Sequence, residues 1–291
     1  MYLSGESLLY QVSQLGSINS ALLRDMQREI LSITDDWTSV YSEYQSGGWQ
    51  TLSLLNCSSD PSDTIIRDCV PVETSLLLKL PVIRSFLNEL GLRYMWVRLA
   101  KLEPNAFLWE HRDYQELEDV ERLRLHVPII TNPHSTLIIE GLRIHLAKGF
   151  VWKLRPTHRH GAGNLGTEAR LHILIDCYRN AALDHLLQSE SLDDAYVRRL
   201  PPILPATQAE TALASDELAR QGDCKQAEHL LLKLFYCYQL EEGACYDMIS
   251  QMYDARGNEQ MKELWQKRKA KFLGLDDSRK YELVEHPVNA E

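Results

Sequence analysis

Tyr94-Met95-Trp96-Val97-Arg98-Leu99 is a short apolar run of a kind that recurs between Trp49 and Asp176. Similar runs occupy residues 51–55, 125–130, 136–139 and 171–175. Turn-forming residues, among them Asn132-Pro133 and Gly141, separate the runs. Short strands at such intervals are typical of β-sandwiches and barrels, so the middle of the chain predicts a barrel-like β core.

The tripeptide His111-Arg112-Asp113 lies inside this β region. Residues two apart in a strand face the same side, so His111 and Asp113 can bind one ion while Arg112 points away. Two histidines and one carboxylate form the facial triad of non-haem Fe(II) oxygenases, which leaves coordination positions open. The second histidine must come from elsewhere in the fold, and His158 and His160 both qualify on their chemistry alone.

Several other motifs surround the tripeptide in a characteristic order. They comprise residues 41–49, 93–94, 105–106, 111–118, 124–133, 160–163, 170–176 and 233–235. In these motifs the chain resembles the aspartyl/asparaginyl hydroxylase branch of the 2-oxoglutarate oxygenases, and within it the free-amino-acid hydroxylases typified by L-proline cis-4-hydroxylase. The resemblance covers about residues 40–275; it is specific in the central motifs and loose in the helical tail.

The resemblance implies a fold and a set of metal ligands. The fold is a double-stranded β-helix, the jelly roll also found in cupins, whose open end holds the metal. The family places its distal histidine eight residues after a tryptophan and ten before an arginine, and Trp152 and Arg170 stand at those distances from His160. The implied metal ligands and catalytic residues are therefore His111, Asp113 and His160.

The resemblance also implies how 2-oxoglutarate is held. Arg170 matches the arginine that forms a salt bridge with the distal carboxylate, a contact that suits the planar guanidinium group. Arg124 and His126 match a pair that helps to hold the co-substrate. The alternatives are that Arg124 pairs with Glu118 or Glu121 at the surface and that His126 is a core histidine.

The implied reaction is hydroxylation of an sp3 carbon by Fe(II), 2-oxoglutarate and O2, with succinate and CO2 as co-products and ascorbate as the reductant in vitro. Related iron enzymes that halogenate replace the carboxylate ligand by a small residue, so the presence of Asp113 favours hydroxylation. The hard chemistry belongs to the metal and its co-substrate, and the protein positions the substrate.

The implied substrate is a free L-amino acid, proline or a related one, or a metabolite derived from an amino acid. Arg98 could bind its carboxylate, and Trp49, Trp109 and Tyr114 could line an apolar pocket. The alternative for each of these four residues is a purely structural role. The chain departs from the proline enzyme just before the metal tripeptide, where Glu110 could favour a different amino acid.

Composition indicates a globular protein that does not bind nucleic acid or membranes. The chain has 291 residues, 44% of them hydrophobic, and a formal net charge of -10. This charge disfavours nonspecific binding to nucleic acid and anionic membranes. No signal peptide or apolar run long enough to span a bilayer stands out. The six cysteines lack CxxC spacing, so we expect a reducing compartment, the cytoplasm.

The apolar pattern divides the chain into three regions. Residues 1–40 predict two helices that brace the core. Residues 41–180 are expected to form the β-helix core, with one outer helix over 74–90. Residues 181–291 predict a helical region. The last region follows a proline-containing link at 200–205 and contains amphipathic helices, with Gly257 and Gly274 as helix stops. It could form a lid over the barrel or the surface of a homodimer.

Other functions remain open at this point. The protein could hydroxylate a residue in a peptide or on a carrier, with the C-terminal helices docking the larger partner. A cupin-like sensor that binds metal and 2-oxoglutarate without oxidising anything is the non-enzymatic alternative. The site could also hold zinc, which the Irving-Williams order favours over iron and which would be inert towards O2.

Overall fold

The computed structural model describes residues 5–113 and 121–275. The strands are β1 (Val12–Ser17), β2 (Thr38–Ser39), β3 (Trp49–Asn56), β4 (Val72–Glu73), β5 (Arg93–Leu102), β6 (Phe107–His111), β7 (Arg122–Ile130), β8 (Ser135–Ile139), β9 (Leu142–Ile144), β10 (Phe150–Leu154), β11 (His160–Asn164), β12 (Arg170–Tyr178) and β13 (Val197–Arg199). The α-helices are α1 (Gly5–Gln11), α2 (Ser20–Leu31), α3 (Pro81–Leu90), α4 (Ala181–Leu187), α5 (Pro205–Arg220), α6 (Cys224–Leu232), α7 (Leu234–Cys237), α8 (Ala244–Ala255) and α9 (Glu259–Leu273).

The strands form two antiparallel sheets within the described residues. The first has the order β1-β10-β7-β12-β5-β3-β2, with β4 on β3, and the second has the order β13-β9-β8-β11-β6. From β5 to β12 the chain passes back and forth between the sheets, and apolar side chains of both meet in the interior. This is a double-stranded β-helix, so the predicted fold class is confirmed. The predicted runs at 51–55, 94–99, 125–130, 136–139 and 171–175 all lie within strands.

Helices cover the outer faces of both sheets. α2, α3 and α4 pack on the first sheet through apolar residues such as Met26, Ile83 and Leu183. The helices after residue 204 pack on the second sheet, where Phe107, Trp109 and Ile138 join their apolar cluster. As predicted, Gly274 ends a helix, because it takes the left-handed conformation (φ 65°) that follows α9.

The prediction of two helices within residues 1–40 is wrong for residues 12–17. β1 occupies Val12–Ser17 and pairs with β10 at the edge of the first sheet. The pairing has an irregularity between Gln14 and Gly16 that leaves Leu15 as an extra residue. Val12 and Leu15 therefore pack into different core clusters, and their spacing of three imitates helical periodicity.

The predicted outer helix over 74–90 begins later than expected. A 3-10 turn spans Leu77–Lys79, and α3 starts at Pro81. Proline lacks an N–H and disfavours helical backbone in the residue before it, so Pro81 suits the first helical position and separates the two segments.

Cys57 and Cys69 form a disulfide, with Cα atoms 6.1 Å apart, which departs from the expectation of reduced cysteines. Cys177, Cys224, Cys237 and Cys245 are free thiols. In the two described ranges, none of the helices combines the length and the apolar character needed to cross a membrane.

Candidate active site

His111, Asp113 and His160 meet at one end of the barrel. His111 ends β6, Asp113 follows two residues later, and His160 begins β11 directly opposite His111. The distance from Asp113 to His111 Nε2 is 3.2 Å and to His160 Nε2 3.9 Å. One potential ligand atom from each residue lies within 4.8 Å of the others. Two imidazoles and a carboxylate at these distances suit a divalent metal, and we call this group of three residues the metal cluster.

Main-chain carbonyls orient both imidazole rings. The Nδ1 atom of His111 lies 2.6 Å from the Trp109 carbonyl oxygen, and that of His160 lies 2.8 Å from the His158 carbonyl oxygen. A carbonyl can only accept a hydrogen bond, so each Nδ1 carries a proton and Nε2 is the ring atom that faces the cluster and can bind a metal. Burial lowers the pKa of His160 to about 3, which keeps that ring neutral.

Asp113 is an ionised carboxylate. Burial by itself would raise its pKa, but the charges of His111 and Arg124 outweigh burial and hold the pKa well below its usual value. Arg124 donates one bond to Asp113 and two to the buried carboxylate of Asp176, at 2.9 and 3.2 Å. Asp176 also accepts a bond of 2.7 Å from Arg98. A line of alternating charges therefore runs from Arg98 to the metal cluster.

Arg170 and His126 are buried beside the cluster with unused polar atoms. In the described part of the chain, Arg170 Nε and both ring nitrogens of His126 lack hydrogen-bond partners. Burial lowers the pKa of Arg170 to about 10, so the guanidinium stays charged at neutral pH. Burial and the charges of Arg124 and Arg170 hold the pKa of His126 well below its usual value. Polar groups left unpaired in a protein interior cost free energy, so this arrangement suits an anionic ligand.

A cavity of about 300 Å³ connects these groups. Its walls include the three residues of the metal cluster and the candidate co-substrate residues Arg124, His126 and Arg170. Arg98 and Trp49, two of the candidate substrate residues, also line the cavity. The structure thus brings together residues from β3, β5, β6, β7, β11 and β12.

The sequence profile of the aspartyl/asparaginyl beta-hydroxylase family matches residues 17–180, more than half of the chain. This chain belongs to that family. Membership, together with the cluster of His111, Asp113 and His160, gives the enzyme class: an Fe(II)- and 2-oxoglutarate-dependent dioxygenase.

The hydroxylase is similar to proteins of known activity and structure. It is 24% identical over 251 residues to L-proline cis-4-hydroxylase of Rhizobium meliloti (strain 1021), with 82% of this chain and 87% of the relative aligned. It is also similar to the structure of a Pseudomonas putida prolyl-4-hydroxylase, with 14% identity, 58% of this chain and 92% of that chain covered, and a TM-score of 0.36. An oxidoreductase of the 2OG-Fe(II) oxygenase family from Burkholderia pseudomallei has 13% identity, 56% and 80% coverage, and a TM-score of 0.38.

Trp109 and Glu110 of the hydroxylase lie away from the cavity, and a β-bulge explains the position of both. Where β6 pairs with β11, Leu108 lies opposite Ala162 and His111 opposite His160, so β6 has one extra residue. The bulge lets Leu108 and His111 both face the cavity and turns Trp109 towards the C-terminal helices. Glu110 also faces those helices, and it accepts a bond from Gly243. Neither Trp109 nor Glu110 lines the cavity.

Three further residues considered in the sequence analysis are His158, Arg112 and Tyr114. His158 lies outside the metal cluster, and its ring packs edge-on against Tyr10 at 5.9 Å. Arg112 turns away from the metal cluster and donates to Glu242 at 2.6 Å. Tyr114 lies outside the described residues.

Several cavity residues of the hydroxylase were not predicted individually. Tyr41, Glu43 and Tyr44 line the cavity, and they belong to the stretch 41–49 that carries part of the family resemblance. Lys271 reaches the cavity from the end of α9 and pairs with Glu43. Its sequence context is that of an ordinary charged helix, so no local signal pointed to it.

Proposed function

We propose that the hydroxylase acts on an sp3 carbon of a free L-amino acid, proline or a related one, or of a small metabolite derived from an amino acid. One observation carries the proposal. The metal cluster, the unpaired Nε atom of Arg170 and the unpaired ring nitrogens of His126 surround the same small cavity. The similarity to L-proline cis-4-hydroxylase supports the substrate class.

In this proposal, His111, Asp113 and His160 hold Fe(II). Arg170 binds the distal carboxylate of 2-oxoglutarate, and His126 contributes a hydrogen bond to the co-substrate. Arg124 borders the co-substrate and also fixes Asp113, since its guanidinium already donates to that carboxylate. Fe(II), 2-oxoglutarate and O2 together supply the oxidation that places one oxygen atom on the substrate and yields succinate and CO2.

In this proposal, the substrate is placed by residues of β5 and β3, which belong to the same sheet as the co-substrate residues. We propose that Arg98 binds the substrate carboxylate, because its guanidinium lies at the cavity wall, held by Asp176 at 2.7 Å and by the Trp96 ring at 3.7 Å. Trp49 supplies apolar surface next to Arg170, whose guanidinium lies 5.8 Å from the ring centroid. These groups aim one carbon at the metal and hold it there.

The size of the cavity favours a small substrate. About 300 Å³ lies at the lower end of the range for ligand pockets, and the co-substrate takes up part of that space. A free amino acid fits the remainder better than a segment of folded protein.

The test is a reaction with Fe(II), 2-oxoglutarate, O2, ascorbate and pooled free L-amino acids, followed by mass spectrometry and succinate assay. We expect a product heavier by one oxygen atom and an equal amount of succinate, and neither with His111→Ala. Slow succinate formation without such a product would reject the free amino acid as substrate and favour a peptide-bound or carrier-bound residue. Succinate at the level of His111→Ala would reject the oxygenase itself.

A further inference from the structure

The residues that precede the two metal histidines form a buried ion pair. Glu110 and Arg159 are 2% and 6% exposed, and the Arg159 guanidinium donates to the Glu110 carboxylate. The same carboxylate oxygen accepts the main-chain N–H of Gly243 at 3.2 Å. Arg159 also donates to the carbonyls of Leu240 and Glu241, at 3.0 and 3.4 Å. The pair thus joins β6, β11 and the segment before α8.

The ion pair is connected to the histidine rings through the main chain. The carbonyl two residues before each metal histidine accepts a bond from that histidine's Nδ1. Each of these carbonyls belongs to the peptide bond that enters Glu110 or Arg159. If the plane of either peptide group rotated, its carbonyl would turn with it. The histidine ring would then tilt and its Nε2 atom would move out of the metal cluster.

Tyrosines from the helical region hold the same stretch of β6. The hydroxyl group of Tyr246 donates to the Glu110 carbonyl, and that of Tyr236 donates to the Leu108 carbonyl. Both contacts fall at the β-bulge, where the ladder with β11 is interrupted. The C-terminal helices therefore supply the hydrogen bonds that the bulge takes out of the sheet.

We infer that Glu110 and Arg159 are a positioning pair through which the C-terminal helices set the metal affinity of the site. The inference rests on the metal cluster of the proposed function. Neither residue lines the cavity, so the pair acts on the metal through the two carbonyls and not by contact with a ligand. Groups that orient metal ligands from behind typically change metal affinity by about 10- to 100-fold.

The test is a titration of the full chain with Co(II), compared with thermal unfolding of the metal-free protein. The variants are Glu110→Gln, Arg159→Met, the double variant of both, and Arg159→Lys, which keeps the charge but loses the planar fork. Asp247→Asn is the matched control, since its carboxylate pairs with Lys269 inside the helical region, away from β6 and β11.

We expect each single variant to raise the Kd for Co(II) by about 10- to 100-fold, and Asp247→Asn to leave it unchanged. The double variant should regain thermal stability, because no charge is left alone in the interior, yet should keep the weak metal binding. Arg159→Lys should weaken binding as well, and it decides the question if the uncharged variants do not fold.

Wild-type Co(II) affinity in any folded variant of the pair would overturn the inference, and so would affinity that recovers together with stability in the double variant. Failure of the underlying proposal gives a different result. In that case wild type would not bind Co(II), or His111→Ala would bind it as tightly as wild type does.

Discussion

Single residues at the site are distinguished by which of their atoms the protein has already used. His111 and His160 each use Nδ1 in a hydrogen bond to a main-chain carbonyl, and their Nε2 atoms face the metal cluster. Arg170 and His126, in contrast, have polar atoms without partners in the interior. The first arrangement directs Nε2 of each ring at the proposed cation, and the second leaves donors for the proposed anion. Roles at this scale follow from hydrogen-bond partners, which the sequence does not show.

His158→Ala and His160→Ala should separate the two neighbouring histidines. His160→Ala removes a ligand atom and should abolish metal binding and turnover. His158→Ala should retain both, because the contribution of His158 is a main-chain carbonyl that alanine also has. Metal content after dialysis and turnover number measure the two effects. A His158→Ala protein without bound iron would refute the ligand assignment.

Arg170→Gln should weaken 2-oxoglutarate binding by about 10- to 100-fold, the usual effect of losing a charge-assisted hydrogen bond. The co-substrate KM in an assay with saturating substrate gives the measurement. Arg28→Gln, on the exposed surface of α2, is the control and should leave the KM unchanged. An unaltered KM in Arg170→Gln would show that another group anchors the co-substrate.

Asp176→Asn should destabilise the fold in a pH-dependent way. Burial by itself would raise the pKa of Asp176, but the charges of Arg124 and Arg98 outweigh burial and hold the pKa below its usual value. A carboxyl whose pKa is lower in the folded chain adds stability that is complete above its unfolded value, about 4, and is lost as the pH falls through its folded value.

Urea unfolding measures the effect of Asp176→Asn. Removing one partner of a buried ion pair should cost about 3–5 kcal/mol at pH 7, and the difference from wild type should narrow at pH 3. Asp184→Asn, whose carboxylate pairs with Arg179 on the surface, should cost at most about 1 kcal/mol. An equal loss at both pH values would contradict the account of the charged network.

At the scale of elements, regular segments could be predicted from the sequence, whereas irregular ones could not. The apolar runs of β3, β5, β7, β8 and β12 show their strands directly. The bulges in β1 and β6 interrupt the regular alternation of side chains between the two faces of a strand, so residues 12–17 imitate a helix and Trp109 faces the C-terminal helices. A bulge depends on the partner strand, and the partner is not visible in local periodicity.

Gly161→Ala should loosen the contact between β11 and α7. A Cβ atom at this position would lie 2.7 Å from the Phe235 ring and 3.1 Å from the Leu108 carbonyl. Overpacking of this kind costs about 1–3 kcal/mol, measurable by thermal unfolding. Gly16→Ala is the control, since nothing lies within 4 Å of its Cβ position. Equal melting temperatures for the two variants would contradict the described packing.

At the scale of the whole molecule, the C-terminal helices do more than their sequence predicted. The sequence predicts that they form a lid or a dimer surface, and both remain predictions. The structure shows that they also cover the second sheet, hold the strand that carries His111 and place Lys271 in the cavity wall. These contacts join residues more than 100 positions apart, so they lie beyond any local pattern.

The clustering of His111, Asp113 and His160, by contrast, could be predicted, because spacings along the sequence indicate it. His111 and Asp113 are two residues apart at the end of one strand, and the resemblance to the family, through the distances from Trp152 and to Arg170, implies His160. The substrate residues have no comparable spacing, because cavity walls are assembled from side chains of many elements.

The most direct test of the central claim is a reaction under 18O2 with the amino acid that gives the most product. The account predicts one labelled oxygen atom in the hydroxylated amino acid and one in succinate, with no label in either molecule when His111→Ala replaces wild type. A hydroxylated product that takes its oxygen from water, together with unlabelled succinate, would contradict the assignment of this protein as a 2-oxoglutarate-dependent dioxygenase.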